Sequence, residues 1–221
     1  MANAPTSLVD ILRWRAANQP QRLAYRFLVD GEFEEITMTY GELDWRARSI
    51  AASLQSVAKP GDRALLLFPP GLDFVAAYFG CLYAQVIAIP AYPPHAARIE
   101  KTLPVVRRIV ADARPSVALL TNVLFNGFAT QKPTEDAFRD LNWLVTDSGE
   151  RNTRAEDWQQ PAIGSNDLAF LQYTSGSTSA PRGVMVSHNN LLHNLGLIER
   201  AFGLSDNSHT VFWLPPYHDM G

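Results

Sequence analysis

Residues Leu168-Ala-Phe-Leu-Gln-Tyr-Thr-Ser-Gly-Ser-Thr-Ser-Ala-Pro-Arg-Gly-Val-Met-Val-Ser-His188 set a hydroxyl- and glycine-rich run between two apolar ones. The segment Leu168 to Tyr173 predicts a buried strand entering the run, and Gly183 to Val186 predicts a second strand leaving it. Between them stand Thr174, Ser175, Gly176, Ser177, Thr178 and Ser179, closed by Ala180, Pro181 and a cation at Arg182. Hydroxyls, bare amides at a glycine and one fixed positive charge suit a group with many anionic oxygens, of which a polyphosphate is the obvious example. The same composition also makes an ordinary solvated hairpin. Two familiar phosphate loops are excluded. A P-loop would place Lys-Ser or Lys-Thr after its last glycine, where Val184 follows Gly183. A dinucleotide fingerprint would need G-x-G-x-x-G between a strand and a helix, and this run lacks it.

Upstream, helix and strand signals alternate. Ser7-Leu-Val-Asp10 reads as a helix start leading to Asn18, with a stop at Pro20. Leu23 to Val29 and Phe33 to Met38 flank Asp30-Gly31, a hairpin signal. Thr39-Tyr-Gly-Glu42 is a capping box that opens a helix through Leu54, with Leu43, Ala47, Ile50, Ala51 and Leu54 on one stripe. Strands are predicted at Arg63 to Phe68, Val86 to Ile89, Val117 to Thr121 and Leu141 to Val145. Helices are predicted at Leu72 to Ala84 and Ala96 to Ala113. The polar stretch Thr146 to Asn166 reads as a surface connection. After the hydroxyl run, Ser187 caps a helix that continues to Phe202 and ends near Gly203. The fold class implied is α/β, a mainly parallel sheet flanked by helices.

The chain has 221 residues, of which 47% are hydrophobic, enough for a sizeable core. A formal charge of −3 without a basic cluster argues against a nucleic-acid surface. The first residues carry neither the basic nor the apolar region of a signal peptide. The longest apolar helix candidate, Phe74 to Ala84, is too short to span a bilayer. Cys81 lies in that segment and is the single cysteine, so it reads as a small core residue. These features predict a cytoplasmic protein without membrane insertion. His188 and His193 are five apart and do not share a helix face as metal ligands at i, i+4 would, so structural or capping roles are expected. The ending Trp213-Leu-Pro-Pro-Tyr-His-Asp-Met-Gly221 is apolar and proline-rich, which reads as an interior point of a longer protein.

The string Tyr-Thr-Ser-Gly-Ser-Thr178, then Pro-Arg-Gly-Val184 and Ser187-His188, closely resembles the phosphate-binding loop of adenylate-forming enzymes. That superfamily includes acyl-CoA synthetases, peptide-synthetase adenylation domains and luciferases. The resemblance extends along the chain, through Met38-Thr-Tyr-Gly-Glu-Leu43 and Gly61-Asp-Arg63 with its following strand. Ala88-Ile-Pro-Ala-Tyr-Pro-Pro94 and Trp213 to Gly221 are similar to fatty acyl-AMP ligases in particular. Ser179 stands where the superfamily commonly has glycine, and Arg182 where it commonly has lysine. Arginine keeps the charge but offers a planar fork in place of a point donor.

This resemblance implies that residues 1–221 are the N-terminal part of a large adenylation domain, an incomplete N-terminal domain of an adenylate-forming enzyme. The rest of that domain and a C-terminal domain are expected beyond Gly221. The implied reaction joins a fatty acid to ATP, with Mg²⁺, giving an acyl-adenylate and pyrophosphate. The acyl group then passes to the phosphopantetheine arm of an acyl carrier protein or of a polyketide or peptide synthase module. Thr174, Ser175, Gly176, Ser177, Thr178 and Arg182 are the implied nucleotide-binding residues. His218 is the implied catalytic residue, and no residue is assigned to a metal. Trp213, Leu214 and Pro215 suit either the wall of an acyl pocket or the core. A fatty acyl-CoA synthetase, or a nucleotide-binding fragment without catalysis, remains open at this point.

Overall fold

The computed structural model describes residues 4–94, 98–130, 138–147, 155–174 and 182–218. Helix α1 (Leu8–Asn18) begins as predicted: the Ser7 hydroxyl accepts from the Asp10 amide while the Asp10 carboxylate accepts from the Ser7 amide. Strands β1 (Leu23–Leu28) and β2 (Glu35–Thr39) form a separate antiparallel hairpin. The Asp30 carboxylate holds its turn by accepting from the amides of Glu32, Phe33 and Glu34. Helix α2 (Tyr40–Gln55) carries the expected Thr39–Glu42 capping box.

The principal sheet contains β3 (Arg63–Leu67), β4 (Ile87–Ala91), β5 (Val117–Leu120), β6 (Asn142–Val145), β7 (Leu168–Thr174) and β8 (Arg182–Ser187). Its spatial order is β6-β5-β3-β4-β7-β8, all parallel except β8. The antiparallel β8 follows from length, because the seven residues 175–181 cannot carry a parallel crossover. Helix α3 (Leu72–Tyr83) joins β3 to β4, and α4 (Ile99–Ala113) joins β4 to β5. Helix α5 (Asn122–Thr130), which the sequence pattern did not predict, follows β5, and α6 (His188–Phe202) continues directly from β8.

Strand β3 shows how one sheet makes two cores. Ala64, Leu66 and the following Phe68 face a cluster built with α1, α2 and α3, whereas Leu65 and Leu67 face a second cluster with α4. Helices therefore cover both faces, as the unbroken apolar strands require. Cys81 is free and buried in the first cluster, and burial pushes its thiol up. Gly80 lets α3 approach α2 closely: a Cβ there would lie 2.5 Å from the Ile50 side chain.

Candidate functional site

The site is built at the C-terminal edge of the parallel strands, where open α/β sheets present their ligand-binding crevices. Strands β7 and β8 pair from Leu168–Ser187 to Thr174–Arg182, with a register shift around Ala169. Thr174 and Arg182 are thus opposite each other, at the two ends from which residues 175–181 depart. Thr174 is half-buried and Arg182 is exposed. The predicted binding residues Ser175, Gly176, Ser177 and Thr178 lie outside the described residues. Strand β4 runs parallel to β7 with Ala88 beside Phe170, so Ala91 and Tyr92 end at the same edge.

From Phe170 onward β7 has two distinct faces. Leu171 and Tyr173 belong to the α4 side. The Tyr173 phenol donates to Asp112 Oδ2 at 2.5 Å, and the ring lies against Gly183, its partner across the strands. Burial, the Asp112 hydrogen bond and the Asp112 charge all push the phenol up, so it remains a neutral donor. Phe170 and Gln172 face the opposite side. Phe170 meets Tyr78 edge-on at 5.8 Å, and the Gln172 side-chain amide donates to the Tyr217 carbonyl at 3.3 Å.

That bond brings the segment before His218 onto β7. Tyr217 is buried, with its ring edge-to-face against Tyr92 at 4.6 Å and against Phe74 at 5.7 Å. Burial, with a smaller contribution from Tyr92, pushes its phenol up to about 12. The His218 amide donates to the Pro215 carbonyl at 2.9 Å, closing a turn beside the same edge. By the two-residue period of the strand, Thr174 falls on the Gln172 face and therefore on the His218 side. Thr174 and Arg182 are paired at the strand ends, and Gln172, two residues before Thr174, holds the turn that carries His218. Trp213 does not join the core: it is 88% exposed.

Two features bearing on the site were not assigned from sequence. Gln172 had a visible signal, a lone amide in an otherwise apolar strand. Asp112 had none, because its relation to Tyr173 spans 61 positions. Behind the site, the Ser187 hydroxyl caps α6 by accepting from the Asn190 amide. His188 is buried, and its Nδ1 accepts from the Leu8 amide at 3.4 Å, tying α6 to α1. Burial lowers its pKa against the opposing charges of Asp167 and Asp10. This is the structural role expected for a histidine at that position.

A hydroxyl and a guanidinium at facing strand ends can bind phosphate oxygens, the hydroxyl by donating and the guanidinium by charge and by its fork of N–H groups. Among the described residues no group of three or more His, Cys, Asp or Glu could hold a metal ion. Among them too, no helix is long and apolar enough to cross a membrane.

The chain is 44% identical over 220 residues to the medium-chain fatty acid–acyl-carrier-protein ligase JamA of Moorena producens, a match covering 98% of this chain and 36% of JamA. It is 34% identical over 223 residues to the long-chain fatty acid–AMP ligase FadD32 of Mycobacterium marinum, covering 98% of this chain and 34% of that protein. In three dimensions it is similar to the fatty acyl-adenylate ligase of L. pneumophila in complex with acyl adenylate and pyrophosphate. There the TM-score is 0.87 at 47% identity, covering 98% of this chain and 36% of that one. The chain therefore spans about a third of the length of these relatives. Residues 12–221 match the family described as AMP-binding enzyme. With a mainly parallel sheet, a hydroxyl-rich sequence between β7 and β8 and this match over nearly its whole length, the chain belongs to the AMP-binding enzyme family.

Proposed function

We propose that this chain is the amino-terminal part of a fatty acyl-AMP ligase. The observation that supports the reading is the pairing of Thr174 with Arg182 at the end of a strand whose Gln172 holds the Tyr217–His218 turn. The relatives named above favour a fatty acid as the carboxylate.

A fatty carboxylate oxygen attacks the α-phosphorus of ATP, the bond to the β-phosphate oxygen breaks, and pyrophosphate leaves with its electron pair. A carboxylate is already ionised at neutral pH, so no general base is required. The protein must instead bring two anions together and stabilise charge on the departing pyrophosphate. Thr174, Ser175, Gly176, Ser177 and Thr178 serve that end through amides and hydroxyls, and Arg182 through its fixed charge. His218 orients the carboxylate where acyl chain and nucleotide meet. Mg²⁺ bound with ATP would share the charge of the phosphates, and no residue of this chain is assigned to hold it. The acyl group then passes to the phosphopantetheine thiol of an acyl carrier protein, the acceptor that JamA's name suggests. This is reasonable chemistry for the cytoplasm, where ATP and carrier proteins are available.

The test gives the whole ligase labelled fatty acid and ATP with either CoA or a holo-carrier protein. Acyl-adenylate, and then acyl-carrier protein, is the expected product. Free CoA offers the same thiol, so a preference for the carrier must come from excluding the nucleotide part of CoA. Acyl-CoA as the main product, formed as fast as the adenylate, would make the protein an acyl-CoA synthetase.

A further inference from the structure

We infer that Asp112 is a positioning residue for phosphate binding, acting through Tyr173 on the paired ends Thr174 and Arg182. The inference deepens the ligase reading and rests on it.

Strand β8 is the edge of the sheet, and Val184 and Met185 on it are 52% and 68% exposed. Its first residues are therefore held in place mainly through β7. At the last rungs of that pair the Tyr173 ring covers Gly183 so closely that a Cβ there would lie 3.0 Å from Cζ, 3.1 Å from Cε2 and 3.2 Å from the hydroxyl. A side chain at that position would have to push the ring away by a few tenths of an ångström. The far end of the ring is fixed by the hydrogen bond to Asp112, in the last turn of α4. Helix α4 is itself anchored, since Val106, Ile109, Val110 and Ala113 are buried in the cluster that holds Leu171. The chain of contact therefore runs from a packed helix, through one carboxylate and one ring, to the backbone of Gly183. Arg182 is the neighbour of Gly183, and Thr174 is the neighbour of Tyr173.

Asp112 is exposed, so its carboxylate does not add to the core. What it supplies is a fixed acceptor for the Tyr173 phenol. Without it the ring loses its outer restraint, and the separation and direction of Thr174 and Arg182 are less well defined. Small misplacements of substrate-binding groups have large kinetic consequences. The effect should appear in ATP, which those ends contact, and not in the fatty acid.

The experiment uses the whole ligase with Asp112→Ala, Asp112→Asn, Tyr173→Phe and the Asp112→Ala/Tyr173→Phe double variant, following pyrophosphate release and the melting temperature. Asp112→Ala and Tyr173→Phe should each raise the KM for ATP about tenfold, which corresponds to about 1.4 kcal/mol. The KM for fatty acid should stay within about twofold, and the double variant should be no worse than either single one, as expected for two members of one contact. Asp112→Asn keeps a carbonyl oxygen for the phenol and should retain most of the wild-type ATP affinity. Tyr173→Phe is nearly isosteric and carries the test if Asp112→Ala does not fold. Folded variants with an unchanged KM for ATP, or with both KM values raised alike, would overturn the inference while leaving the ligase reading standing. A wild-type enzyme that releases no pyrophosphate from ATP and fatty acid would overturn that reading, and the inference with it.

Discussion

Asp44 offers the sharpest test of how the site is supported. It lies on α2 with its side chain 5% exposed, and its carboxylate accepts from Arg13 Nη1 at 3.0 Å, from Arg48 Nε at 2.9 Å and from the Tyr83 hydroxyl at 2.9 Å. The same residues reach the segment that leads into β7. Arg48 donates to the Ala155 carbonyl, the Trp158 indole donates to the Tyr83 carbonyl, and the Arg13 guanidinium stacks over the Trp158 ring at 5.3 Å. Substituting Asp44→Ala leaves the Tyr83 hydroxyl, on a residue 0% exposed, without its acceptor. An unsatisfied buried group of that kind costs roughly 1–3 kcal/mol. Arg13 and Arg48 are 40% and 25% exposed and can rehydrate, so each lost ion pair adds only about 0.2–1 kcal/mol. The expected loss is therefore about 1.4–5 kcal/mol, reaching at its upper end the range for breaking a fully buried pair. Tyr83→Phe should cost less, about 1 kcal/mol, because Asp44 keeps both arginines. Urea unfolding measures both, with the slope checking that the transition is unchanged in kind. A loss below about 1 kcal/mol for Asp44→Ala at constant slope would refute this account of the network. So would a Tyr83→Phe variant as unstable as Asp44→Ala, since the ion pairs would then contribute nothing.

Further expectations concern the site and its setting. Gln172→Leu removes the bond to Tyr217 and should lower adenylate formation by the whole ligase about fivefold, the equivalent of about 1 kcal/mol, with little change in melting temperature; unaltered turnover would detach the His218 turn from the reaction. Thr178→Ala should weaken ATP binding by the loss of one charged-group hydrogen bond, on the order of 1.5–3 kcal/mol, and equal KM values for ATP in the two proteins would place phosphate contacts elsewhere. His188 has a folded pKa lowered from 6.5, so the unfolded chain takes up its proton first as pH falls. Its contribution is fully present above about pH 6.5 and is lost as pH falls from there towards the folded value. His188→Gln should flatten the melting-temperature profile between about pH 7 and pH 5, and an identical profile in both proteins would show that His188 does not titrate on unfolding.

Local chemistry was legible in the sequence, and long-range chemistry was not. The helix start at Ser7 and the capping box at Thr39 were readable because the interacting groups lie three residues apart, and a capping box is present at each. Helix α5 was missed because Asn122-Val-Leu-Phe-Asn-Gly127 offers no strong apolar stripe and Thr121, whose hydroxyl caps it by accepting from the Leu124 amide at 3.4 Å, read only as the end of a strand. Its first amide also donates to the Asp147 carboxylate at 2.6 Å, from 25 positions away. The predicted helix Ala96 to Ala113 is observed as Ile99–Ala113, with residues 95–97 outside the described residues. The antiparallel turn of β8 was implicit in the length of residues 175–181, but the pattern of alternation elsewhere pointed to a parallel sheet.

Strand β7 shows why the candidate site was only half visible. An apolar run such as Leu168 to Tyr173 predicts burial on both faces, and both faces are indeed covered. It does not reveal that the two faces have different tasks. On one, Leu171 and Tyr173 bind the strand to α4; on the other, Gln172 holds the turn that carries His218. Because successive side chains alternate, the residue that departs towards the hydroxyl-rich segment, Thr174, takes the face of Gln172 and not that of Tyr173. A one-residue change of register would exchange these faces, turning Thr174 towards α4 and Tyr173 towards His218. The register shift around Ala169 lies upstream of this exchange point. From Phe170 to Thr174 the pairing then runs without interruption to Arg182. The chemistry of the segment is thus written in its residues, whereas the side of the sheet on which that chemistry acts is set by strand register.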